Sequence, residues 1–75
     1  MITDKKILGK KIKEKRLEKK ITQRYLAEQI GISRNYLSDI ENGRYMPSVG
    51  VLFKLAYILE LDLNSLKSTN ISEVS

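Results

Sequence analysis

Apolar and small residues in the middle of the chain fall into two short helical groups. Leu26, Ala27 and Ile30 stack on one face, because positions three and four apart lie above one another on a helix. Leu37 and Ile40 repeat the spacing one element later. Between them, Gly31 suits the left-handed turn that ends a helix, and Ser33 can accept from the free N–H groups of the next. The pattern predicts a helix over 23–30 capped by Thr22, and a second over 34–42 that stops at Gly43. Ala27 is small where the two would cross.

The same periodicity extends outward. Leu8, Ile12 and Arg16 stand four apart, with Leu17 expected on their side, which predicts a first helix over 5–19 capped by Thr3 or Asp4. Pro47 disfavours helix at Met46, so a short loop leads to Ser48 as cap of a fourth helix over 49–59, with Leu52, Leu55, Ala56 and Leu59 as its buried stripe. A last turn over 63–67, capped by Asp62, is expected to bury Leu63 and Leu66. The expected fold is all-α: a five-helix domain over 1–67, followed by a polar tail over 68–75. No segment shows strand alternation.

Composition narrows the chemistry. Seventy-five residues allow one domain. Cysteine and histidine are both absent, which excludes disulfides, Cys/His metal sites and histidine base catalysis. No nucleophile–base pair stands out either, so the expectation is a non-enzymatic protein without metal or cofactor. No apolar run reaches transmembrane length and the N-terminus lacks a signal-peptide core, so a cytoplasmic location and no membrane partner are expected.

Charge is unevenly placed. The chain carries +5, with nine basic and three acidic residues in positions 1–20 and five basic and six acidic in the rest. A basic first helix suits a polyanionic partner, since phosphate contacts supply much of the affinity for nucleic acid. The eight lysines of positions 1–20 cannot all touch DNA from one helix. Most of them raise the encounter rate and keep the chain soluble.

A helix-turn-helix can place its second helix in the major groove of double-stranded DNA. The stretch TQRYLAEQIGISRNYLSDIENG, flanked by Leu8, Ile12 and Arg16 before it and by Pro47, LFKLAYIL and LDLNSL after it, resembles a lambda-repressor-like DNA-binding domain of the Xre/Cro type. The resemblance spans roughly 8–66, with the helix-turn-helix at helices 2 and 3. The subtype it resembles is the compact phage-type repressors and the controller proteins of restriction–modification systems. It implies a sequence-specific transcriptional regulator, most simply a repressor on a palindromic operator.

Site residues follow from that resemblance and from side-chain chemistry. Ser33, Arg34 and Asn35 open the recognition helix, with Ser38 and Asp39 one turn on; these five are the candidate base readers. Arg34 has the paired donors that guanine O6 and N7 accept, and Asn35 matches adenine N6 and N7. Asp39 repels phosphate; it either accepts from a cytosine amino group or is a solvated or intramolecular charge. Gln23 is expected on a phosphate at the start of the second helix, and Asn42 and Arg44 on the backbone after the recognition helix, with Gly43 letting the main chain approach; Tyr36 either packs beside the turn or reaches a phosphate through its hydroxyl. Arg16 and Glu41 are expected as a partly buried ion pair joining helices 1 and 3. Glu60 departs from the family, which usually ends the fourth helix with glycine or asparagine.

One recognition helix reads few base pairs, so a homodimer is expected on arithmetic as well as resemblance. Its candidate surface comprises Tyr57, Leu61, Leu63 and Ile71. The competing reading is an antitoxin-like module whose main partner is another protein, engaged through the tail. A membrane-surface role fits less well, because Leu8 and Ile12 are needed in the core.

Overall fold

The computed structural model describes residues 4–61, which form four helices: α1 Asp4–Glu18, α2 Gln23–Ile30, α3 Arg34–Glu41 and α4 Val49–Leu59. No strand occurs among the described residues. The expected fifth helix, with Leu63 and Leu66, and the tail 68–75 lie outside them, as does Thr3.

Each of the last three helices starts on a hydroxyl cap. Thr22 Oγ1 accepts from the Tyr25 N–H at 3.0 Å, Ser33 Oγ from Tyr36 at 3.0 Å and Ser48 Oγ from Val51 at 3.3 Å. Such a cap stabilises a helix by roughly 1 kcal/mol, because it satisfies an amide the helix cannot. The turn between α2 and α3 is three residues long and pivots on Gly31, at φ 78°. α3 ends one residue earlier than the pattern predicts, with Asn42 as its cap. Gly43 then takes φ 78°, its N–H donating to Ile40 O (3.0 Å) while that of Arg44 donates to Asp39 O (2.9 Å). This is the Schellman arrangement, which closes the last open carbonyls of a helix.

The core draws on all four helices: Leu8 and Ile12, Leu26, Ala27 and Ile30, Leu37 and Ile40, Leu55 and Leu59. Leu17 is a correction. It is 55% exposed, because Arg16 rather than Leu17 continues the Leu8–Ile12 line into the interior. Leu52 and Ala56 are half-buried at the edge of the core. α1 already includes Asp4, so that carboxylate sits in the first turn rather than before it.

Glu60 ends α4 in the left-handed conformation, φ 58° and ψ 44°, without the glycine that geometry favours. Its carboxylate lies 3.4 Å from Lys19 Nζ on the surface. Gly9 does different work. A Cβ built on it would stand 2.3 Å from Ile40 O and 2.7 Å from Glu41 O, so its lack of a side chain lets α1 cross directly over the end of α3.

Candidate nucleic-acid interface

α3 divides cleanly between its two sides. Leu37 and Ile40 are fully buried, whereas Ser33, Arg34 and Asn35 are exposed at its start. Ser38 and Asp39 are half-buried one turn on. Arg34, Asn35 and Ser38 therefore form a polar surface on a helix whose back is fixed in the core.

The far end of α3 is held by a charged cluster. Arg16 Nε donates to Glu41 Oε2 at 2.8 Å and Nη2 donates to Oε1 at 3.2 Å, while Nη1 reaches Ile21 O at 3.0 Å. The two side chains are only 9% and 1% exposed. This is deeper burial than the partial burial read from the sequence. The fork-to-fork geometry is what a buried guanidinium–carboxylate pair requires, since each charge must recover its lost hydration through several directed bonds. Among the described residues, no buried side-chain nitrogen or oxygen lacks a partner.

Gln23 joins the same cluster. Its amide nitrogen donates to Glu41 Oε1 at 3.0 Å. That bond uses one amide hydrogen and leaves the other for a partner outside. Gln23 also lines an open concave surface with Lys20, Thr22, Arg24 and Arg34. The end of α1 and the starts of α2 and α3 thus converge on one cationic hollow. Arg24 spends part of its charge on Glu28, 3.6 Å away on the surface.

Around the end of α3, Asp39, Gly43 and Tyr36 each have close neighbours within the protein. Arg44 Nη1 donates to Asp39 Oδ1 at 2.8 Å, so of the two partners open to Asp39, the cation within the protein is the one it has. Gly43 is buried, and a Cβ there would stand 2.7 Å from Lys6 Cγ. Its amide donates to Ile40 O, and the glycine packs on α1 in the left-handed turn. Tyr36 is half-buried against the core, its ring centroid 6.5 Å from that of Tyr45. Asn42 is exposed, with its amide 3.4 Å from Ser38 Oγ.

On α4, Val49, Phe53 and Tyr57 stand four apart and are 68%, 61% and 86% exposed. Leu61 is half-buried against the core, and Leu63 and Ile71 lie outside the described residues. Gly9 and the Asp39–Arg44 pair are the features that sequence patterning missed or left open. A glycine inside a helix costs roughly 0.5–1 kcal/mol relative to alanine, so Gly9 carried a signal of close packing that hydrophobic periodicity does not use. Among the described residues no group of acidic side chains could hold a metal ion, and no helix is long and apolar enough to cross a membrane.

The helix-turn-helix family profile matches residues 12–66. The chain is 54% identical over 71 residues to the ImmF control region 10 kDa protein of Bacillus phage phi105, covering 95% of this chain and 79% of that protein. It is 42% identical over 59 residues to the immunity repressor protein of the same phage, covering 79% of this chain but 41% of the repressor. The solved structure of the restriction–modification controller protein C.AhdI from Aeromonas hydrophila superposes with a TM-score of 0.74 at 30% identity, over 84% of this chain and 96% of that one.

Proposed function

The chain belongs to the helix-turn-helix family of Xre/Cro-type DNA-binding transcriptional regulators, and from that premise we propose that it is a repressor that binds a palindromic operator as a homodimer. α3 lies in the major groove. Arg34 reads guanine, Asn35 reads adenine, and Ser33 and Ser38 complete the contact with base edges. Gln23, Asn42, Arg44 and the Tyr36 hydroxyl fix the register through phosphates. Residues 1–67 are the binding unit. The protein acts in the cytoplasm by occupying its site, without catalysis.

One observation carries this reading. Arg34 and Asn35 are exposed on a helix whose opposite side is wholly buried and whose end is pinned by a buried ion pair. A rigid rod with free donors and acceptors on one face is what direct readout needs. Repression draws support from the similarity to the phage immunity repressor, and compact size from the likeness to the controller protein.

Two copies related by a two-fold axis place their recognition helices one DNA turn apart, about 34–36 Å. The exposed stripe of Val49, Phe53 and Tyr57, with the outer edge of Leu61, is the surface for that contact. Selection of bound duplexes from a random pool tests the whole reading. The expected product is an inverted repeat with half-sites one helical turn apart, bound with steep salt dependence. Recovery of no shared sequence at moderate salt would overturn it.

A further inference from the structure

We propose that Asp39 is a positioning residue for Arg44, aiming its guanidinium at the DNA backbone, and does not itself read a base. The inference rests on the DNA-binding function proposed above and assigns one pair within that interface.

Two independent bonds join these residues. The Arg44 N–H donates to Asp39 O at 2.9 Å, closing the end of α3, and Arg44 Nη1 donates to Asp39 Oδ1 at 2.8 Å. The main chain between them turns at Gly43, at φ 78° and too close to Lys6 for a Cβ. Lys5 Nζ sits 3.5 Å from Arg44 O on the other side. Arg44 thus leaves the helix in a defined direction, and the carboxylate holds the end of an otherwise long, mobile side chain.

Exposure sets the division of labour. The Asp39 side chain is 30% exposed and that of Arg44 is 62% exposed, so the carboxylate lies behind and the guanidinium in front. The bond to Oδ1 uses one of five guanidinium N–H groups, and the others remain for a phosphate, which accepts from such a fork in two places. A cytosine amino group is a neutral donor. Its bond to the carboxylate would be weaker than the one between opposite charges that Arg44 already makes, and would have to use the acceptor sites left over. An unpaired Asp39 beside phosphates would also be repelled. Paired with Arg44, it adds direction to the contact at almost no net charge.

The test compares wild type, Asp39→Asn, Arg44→Ala and the double variant on the selected operator and on a random duplex, across a salt series. Asp39→Asn is expected to weaken both duplexes by the same factor, roughly two- to fivefold, as for an exposed pair. It should leave the preferred base unchanged at every position. Arg44→Ala should lower the salt slope by about one. In that background Asp39→Asn should cause no further loss, and should tighten both duplexes alike by removing a carboxylate that Arg44 no longer pairs. A changed base preference at one position of each half-site would make Asp39 a base reader and overturn the proposal. So would tighter binding to random DNA by Asp39→Asn with Arg44 present, or an equal loss with and without Arg44. NMR of the guanidinium in the free protein gives a readout without DNA: Asp39→Asn should free Arg44 to rotate, and an unchanged signal overturns the pairing. If wild type prefers no duplex, the DNA-binding function itself fails, and the NMR result still judges the pair.

Discussion

Gly9 of α1 faces the carbonyl of Ile40 so closely that a single methyl group on it would reach within 2.3 Å of that oxygen. The obstacle is backbone, which cannot rotate aside as a side chain can. Gly9→Ala raises intrinsic helix propensity by about 1 kcal/mol, yet it must push α1 away from α3. The expected net result is a loss of about 1–2 kcal/mol in urea unfolding, within the range of overpacked cores. A more stable variant would show that the helices separate freely at this crossing.

Glu41 accepts from Arg16 twice and from Gln23 once, with its side chain 1% exposed. Glu41→Gln keeps the shape but leaves the Arg16 charge without a counterion in the interior. The expected cost is about 3–5 kcal/mol, read from the urea midpoint. A loss of a few tenths would put the pair in the class of solvated surface bridges.

Arg34 and Gln23 lie on the same concave surface, but the proposed function gives them different tasks. Arg34→Ala is expected to cost about 1–3 kcal/mol on the operator and to relax the base preference at one position of each half-site. Gln23→Ala should weaken operator and random duplex alike, because a phosphate contact carries no sequence. Competition binding with single-base operator variants separates the two patterns. Equal losses on all duplexes for Arg34→Ala would remove it from the base readers.

Glu60 adopts φ 58° with its side chain largely in solvent and only a surface contact to Lys19. Left-handed backbone costs a residue with a Cβ roughly 1–2 kcal/mol. Glu60→Gly removes that strain but gains unfolded-state entropy and loses the surface pair. The expected balance is a stabilisation of about 0.5–1 kcal/mol, visible as a higher thermal midpoint. A lower midpoint would mean that the contact with Lys19 outweighs the strain.

Phe53 and Tyr57 are a turn apart and exposed on α4. Replacing both with glutamate places two charges on the surface assigned to the second copy. The doubly substituted chain should stay folded, sediment as a monomer and lose affinity for the two-half-site operator far more than for an isolated half-site. An unchanged sedimentation profile would assign the dimer contact elsewhere.

Much of the fold was legible in the residues themselves. Thr22, Ser33 and Ser48 mark helix starts by local chemistry, and Leu26, Ala27, Ile30, Leu37 and Ile40 mark buried faces by spacing. Both signals act over a single turn, so one sequence carries them without an alignment. Leu17 shows the limit. Hydrophobicity alone would bury it, but an arginine with a buried carboxylate partner 25 positions away holds the interior site, and such pairing is non-local. Glu60 shows another, since neighbouring contacts can hold a residue in a conformation its own preferences oppose. For the candidate interface, exposure of Arg34 and Asn35 followed from the burial of Leu37 and Ile40. The engagement of Asp39 by Arg44 did not, because their spacing of five residues joins a helix to the loop beyond it and obeys no helical period.

Under the proposed function, folding and target choice reside on opposite sides of the same eight-residue helix. Leu37, Ile40 and Glu41 hold α3 in place, while Arg34 and Asn35 contribute nothing to the core. Exchanging those outward side chains should redirect the molecule to a different stretch of the genome without a penalty in stability. A handful of codon changes on the outward side would therefore alter the target while the interior stays as it is.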